Sequence, residues 1–171
     1  MENTAYCVLA YYDSEETAIK YLDTVTVSTL MPGWKTQYIY RRLGATTIVS
    51  DTARHALIEQ GYTQTVVTQR KEKVLVNRSL GVSSIKVPMS YFNPVDTLVF
   101  SYGSISLKDT LYIFKESYPH VDYPECGTYR FHHITDIKYT DAAFDKIEIS
   151  NPTVNYEGQE NIRIHFNGVA Q

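Results

Sequence analysis

Short apolar runs separated by turn residues at fairly even spacing make up the hydrophobic pattern of the chain. Residues 5–12 form a compact β-prone run, 24–30 alternates through β-branched residues, and 38–40 and 46–49 read as strands separated by Gly44. Pro32-Gly33 reads as the end of the second run, because proline cannot donate to a ladder and glycine favours a turn. Further strand-like runs lie at 63–69, 74–76, 85–91, 95–102, 111–114, 128–134, 146–149 and 161–166. Turn signals at Asn77, Gly103, Pro119, Pro124, Asn151-Pro152 and Gly158 separate them. Many short strands with few helices indicate a sandwich or barrel.

Two stretches carry helical signals. Asp13 is placed to cap a short helix, with Glu16 in the reciprocal position and an apolar stripe of Ala18, Ile19 and Leu22. Residues 51–60 favour a helix through Ala53, Ala56 and Leu57, with Gly61 just past its end, although an extended chain from Ile58 onward fits as well. The expected fold class is all-β with a few short helices.

Residues 85–100 are the most informative segment. Two β-segments meet at Asn93-Pro94, where proline forces an extended or turn conformation on the residue before it. Val95, Leu98, Val99 and Phe100 then refill a short apolar run. No metal, nucleophile or cofactor chemistry needs this arrangement, but the wall of a β-sandwich can use it.

A length of 171 residues suits one domain with a sizeable core. The formal charge of −3 argues against a nucleic-acid binder, and the basic run 69–73, interrupted by Glu72, reads as a solvated loop. The sequence carries no membrane-span-length apolar run and no secretory leader at Met1, so the expectation is a soluble, intracellular chain. Cys7 and Cys126 could form one bridge, but buried reduced thiols are the simpler expectation. Fifteen tyrosines suit strands and half-wet surfaces such as subunit interfaces.

Candidate chemistry is sparse. Cys126, His132 and His133 lie close in sequence, but the paired ligands of a zinc knuckle are missing and adjacent histidines on a strand face opposite ways. His133-Ile134-Thr135 is half of a paired His-x-Thr phosphodiesterase signature without its partner. Asp13, Glu15 and Glu16 are accounted for by capping, and Asp141 with Asp145 by a turn. Trp34 is either a ligand-stacking residue or, preferably, a cap over a sandwich end. No catalytic, cofactor or metal residue is assigned.

Four ordered segments resemble the major capsid proteins of nucleocytoplasmic large DNA viruses. They are 6–22, where a hydrophobic strand runs into Asp-Ser-Glu-Glu; 55–60, His-Ala-Leu-Ile-Glu-Gln; 92–100, Phe-Asn-Pro-Val-Asp-Thr-Leu-Val-Phe; and 161–168, ending in Asn167-Gly168. The resemblance implies jelly-roll β-sandwiches, with residues 1–50 ending a first roll and 51–171 beginning a second that is incomplete at Gln171. One sandwich over 1–171 is the alternative. It further implies a virion protein that builds an icosahedral shell with other capsid subunits, as a homotrimer or with further capsid chains, and without cofactor, specific nucleic acid or membrane span. A β-sandwich ligand-binding or adaptor domain using Trp34 and the tyrosines is the competing expectation. A hydrolase around His132, His133 and His165 comes third.

Overall fold

The computed structural model describes residues 4–21, 23–103 and 107–166, so Leu22, Asn167 and Gly168 lie outside the described residues. The strands are β1 (Tyr6–Tyr12), β2 (Thr24–Arg41), β3 (Ile48–Ser50), β4 (Thr63–Leu80), β5 (Ser84–Pro88), β6 (Val95–Tyr102), β7 (Lys108–His120), β8 (Tyr129–Tyr139), β9 (Lys146–Ile149), β10 (Thr153–Val154) and β11 (Glu160–His165). One short helix, α1 (His55–Glu59), and a single 3-10 turn at Pro124–Cys126 complete the described elements. The all-β expectation holds, and the architecture is a two-sheet sandwich.

Contacts divide the chain into two compact units, Met1–Thr29 with Val74–Gln171, and Leu30–Lys73. In the larger unit one sheet has the order β5-β1-β11-β9, and β1 runs antiparallel to β5 but parallel to β11. The other sheet places β10, β8, β7, β6 and the first part of β2 side by side, all antiparallel. Alternation explains which side chains meet between the sheets. Cys7, Leu9 and Tyr11 of β1 and Ile162 and Ile164 of β11 pack in one core with Leu98 and Phe100 of β6 and Leu111 and Ile113 of β7. Burying each such side chain contributes roughly 1.5–3 kcal/mol.

Two buried polar residues fix loops to this core. The Asp109 carboxylate accepts from the Thr140 hydroxyl at 2.6 Å and from the backbone N–H groups of Ala142, Ala143 and Phe144 at 2.6–2.9 Å. That clamp holds the turn in which Asp141 and Asp145 stand exposed. Asn161 accepts from Val8 N–H at 2.9 Å, where the β1–β11 register shifts, and donates to the carbonyls of Asn151 and Thr153. Tyrosine accumulates for packing reasons too: Tyr11, Tyr21, Tyr102 and Phe166 form a buried ring cluster with neighbouring centroids 4.9–5.9 Å apart.

Three local expectations need correction. Residues 13–17 form a tight turn, not a helix start. Asp13 Oδ1 does accept the N–H groups of Glu15 and Thr17, but Glu16 adopts φ +63° and Ile19 N–H bonds back to the Tyr11 carbonyl. A left-handed residue at that point prevents helical continuation. Pro32-Gly33 does not end β2: Gly33 takes φ +97° and the strand continues to Arg41, on an exposed ribbon that tolerates a missing N–H. The basic run 69–73 is strand, not loop, because β4 pairs with β2, and Gln69 and Arg70 donate to Gln37 Oε1 and the Met31 carbonyl.

In the unit Leu30–Lys73 the helix expected within 51–60 forms only over His55–Glu59, leaving Ala53 outside it, and Gly61 (φ +90°) follows its cap as expected. Polar latches hold this unit. The buried Tyr40 hydroxyl accepts from Arg54 N–H at 2.6 Å and donates to Gln64 Oε1 at 3.2 Å, and the Arg42 guanidinium lies 4.7 Å from the Tyr62 ring centre.

Candidate functional site

The Asn93-Pro94 hinge is the rim of an open cleft of about 270 Å³, lined by Tyr91, Phe92, Asn93, Pro94, Lys115, Ser117 and Arg130. All seven belong to the larger unit. Inward-facing positions of β7 run Asp109, Leu111, Ile113, and then Lys115, whose ammonium is fully buried. A buried charge needs a partner, and Lys115 has two: it donates to the Asn93 carbonyl at 2.9 Å and to Asp96 Oδ2. Asp96 Oδ1 accepts from Ser90 N–H at 3.1 Å, and Ser90 Oγ accepts from Asn93 N–H at 3.1 Å. Lys115 N–H donates to the Pro94 carbonyl at 2.9 Å. The loop 89–94 is thereby tied to β7 through both the backbone and the side chain of Lys115. Burial raises the Asp96 carboxyl above its ordinary range, against the opposing pull of the Lys115 ammonium.

β8 supplies the other wall. Lys115 pairs with Ile134 whereas Phe114 pairs with Asp136, so Thr135 is an extra residue that shifts the parity of β8. His132 therefore turns inward while His133 is exposed on the opposite face. His132 Nδ1 lies 2.7 Å from Ser117 Oγ, and burial pushes the imidazole down to about 4. Its Nε2 has no hydrogen-bond partner among the described residues. The Arg130 guanidinium lies 5.3 Å from the ring centre of Phe92, which is 84% exposed, and the Tyr91 ring meets Phe92 edge-on. Beside this cleft, Tyr118, His120, Tyr129 and Tyr156 surround Phe131 in an aromatic cluster.

The residues that the sequence singled out are dispersed. His132 and His133 face apart, and His165 lies on β11 in the other sheet. Cys7 is buried, with its thiol pushed up to about 12 chiefly by desolvation, while the Cys126 side chain lies outside what the structure describes. Trp34, on β2, is 64% exposed, with the Arg70 guanidinium 5.6 Å from its ring centre. Sequence reasoning missed Lys115, Phe92 and Arg130. A signal for Lys115 existed: a lysine at an inward period-2 position is rare unless paired.

Residues 63–166 match the model of a family described as Family of unknown function (DUF6452). No curated protein and no solved structure matches the chain. The chain belongs to that family of unknown function.

Proposed function

For a member of a family without an assigned role, we propose a non-catalytic binding module. Its cleft takes a small ligand with a flat apolar face and an anionic edge, such as a sugar acid or an aromatic carboxylate. The observation that carries this reading is the pairing of exposed Tyr91 and Phe92 with Arg130 above a floor already fixed by Lys115, Asp96 and Ser117. Aromatic walls with a few placed polar groups are the usual make-up of small-ligand sites. The Lys115 charge is neutralised by Asp96, which leaves Arg130 to meet an anion.

The Ser117–His132 pair argues for binding over acyl transfer. A serine nucleophile needs a base held by a third group on its other ring nitrogen, and His132 Nε2 lacks such a partner among the described residues. An imidazole held near 4 is also a weak base at neutral pH. Saturation-transfer NMR with glucuronate and benzoate should show contact to the wild-type chain, and Arg130→Ala should remove it. Equal transfer in that variant would overturn the reading.

A second reading follows the capsid resemblance, in which the chain would be a jelly-roll shell subunit assembled as trimers in a virion. The exposed apolar side chains Trp34, Leu43, Val49 and Val66 of the smaller unit favour it, as surfaces to be covered by other subunits. Light scattering after size exclusion separates the two readings, since the shell subunit predicts trimers or larger assemblies and the binding module a monomer.

A further inference from the structure

His165, at the end of β11, is only 2% exposed, and its Nδ1 lies 3.0 Å from the Asp13 carbonyl oxygen. A carbonyl can only accept, so Nδ1 carries a proton, and a neutral ring then presents a lone pair at Nε2. That lone pair faces Glu148 Oε1 at 3.1 Å and Glu16 Oε1 at 3.9 Å. Three acceptor atoms thus lie near one point, where a second ring proton or a metal cation would find them.

The surroundings favour the metal. The three ligand atoms all lie within 4.8 Å of one another. The two separations from His165 Nε2, 3.1 and 3.9 Å, bracket the edge of a tetrahedron around zinc, about 3.3 Å for bonds of about 2.0–2.1 Å. Each carboxylate gives its outer oxygen to a basic side chain: Lys146 Nζ lies 3.2 Å from Glu148 Oε2, and Arg163 Nη1 lies 3.6 Å from Glu16 Oε2. Those contacts turn both Oε1 atoms toward His165. The Asp13 carbonyl on Nδ1 is the outer partner that orients most metal-bound histidines. Glu16 sits exposed in its turn, so a fourth position can open to water.

We propose that Glu16, Glu148 and His165 form a binding site for a divalent first-row cation, with Zn²⁺ the best fit to one imidazole and two carboxylates. The three residues come from the 13–17 turn, β9 and β11 of the larger unit, apart from the cleft residues described above.

Calorimetric titration of the full chain with ZnCl₂ tests it. One saturable Zn²⁺ per chain is expected, weakened at least about tenfold by Glu148→Gln and by Glu16→Gln. Glu16 is exposed, so Glu16→Gln keeps the test valid even if substitutions at His165 unfold the chain. Absence of saturable binding, or an affinity unchanged in both variants, would overturn the site.

Discussion

The same local pair occurs in both units: an exposed aromatic ring with an arginine over it. Phe92 with Arg130 (5.3 Å) belongs to the larger unit, and Trp34 with Arg70 (5.6 Å) to the smaller. What lies beneath them differs. Under Phe92 are a proline hinge, a buried lysine with two acceptors, and a strand whose other end is locked by Asp109. Around Trp34 are the largely exposed strands β2 and β4, where Arg70 itself bonds the Met31 carbonyl. A stacked pair costs little to form anywhere on a surface, so the support below it, more than the pair itself, marks a recognition site.

The largest effect should come from removing that support. Lys115→Met leaves the Asp96 carboxylate buried without its ammonium, which should cost about 3–5 kcal/mol in urea unfolding. The double variant Lys115→Met, Asp96→Leu should recover most of that loss and still fail to bind, because the Asn93 carbonyl has lost its donor. A double variant that binds normally would show that the cleft does not depend on the network.

His132 sets a smaller, pH-dependent effect. Its folded value of about 4 lies below the ordinary 6.5, so the unfolded chain takes up a proton that the folded chain refuses. The stability that this contributes is intact above pH 6.5 and lost as pH falls toward 4. Between pH 7 and pH 5 the loss should be about 2 kcal/mol. Unfolding of wild type and His132→Gln at both pH values reads it, since the variant lacks that part of the slope. Equal slopes would mean that His132 titrates normally and is not buried beside Ser117.

Much of the fold was legible because burial imposes a period. Leu98 and Phe100 on β6 and Ile162 and Ile164 on β11 alternate as half-buried strands must, and Asn93-Pro94 breaks the chain where β5 and β6 are joined. The exposed ribbon was less legible, since no buried face gives β4 a pattern, and the charges at 70–73 suit strand and loop equally. At 13–17 Asp13 Oδ1 does accept backbone N–H groups as a cap would, but the expected reciprocal bond from Glu16 is not made, and the left-handed backbone of Glu16 decides for a turn over a helix. The cleft was the hardest part. Phe92 and Arg130 lie in separate segments and meet only through the β7–β8 register, which the bulge at Thr135 sets. Trp34 stood out in the sequence for its rarity, which says nothing of what lies beneath it.

The smallest expected structural effects carry the most information. Phe92→Ala and Trp34→Ala should each change stability by no more than about 0.5 kcal/mol, as surface truncations do. Saturation-transfer NMR on both variants with the same glucuronate and benzoate probes is therefore the most direct test of the cleft. Loss of ligand contact in Phe92→Ala, with contact retained in Trp34→Ala, is the predicted result. Retention in Phe92→Ala, or loss in Trp34→Ala, would contradict the assignment of binding to the 89–94 rim.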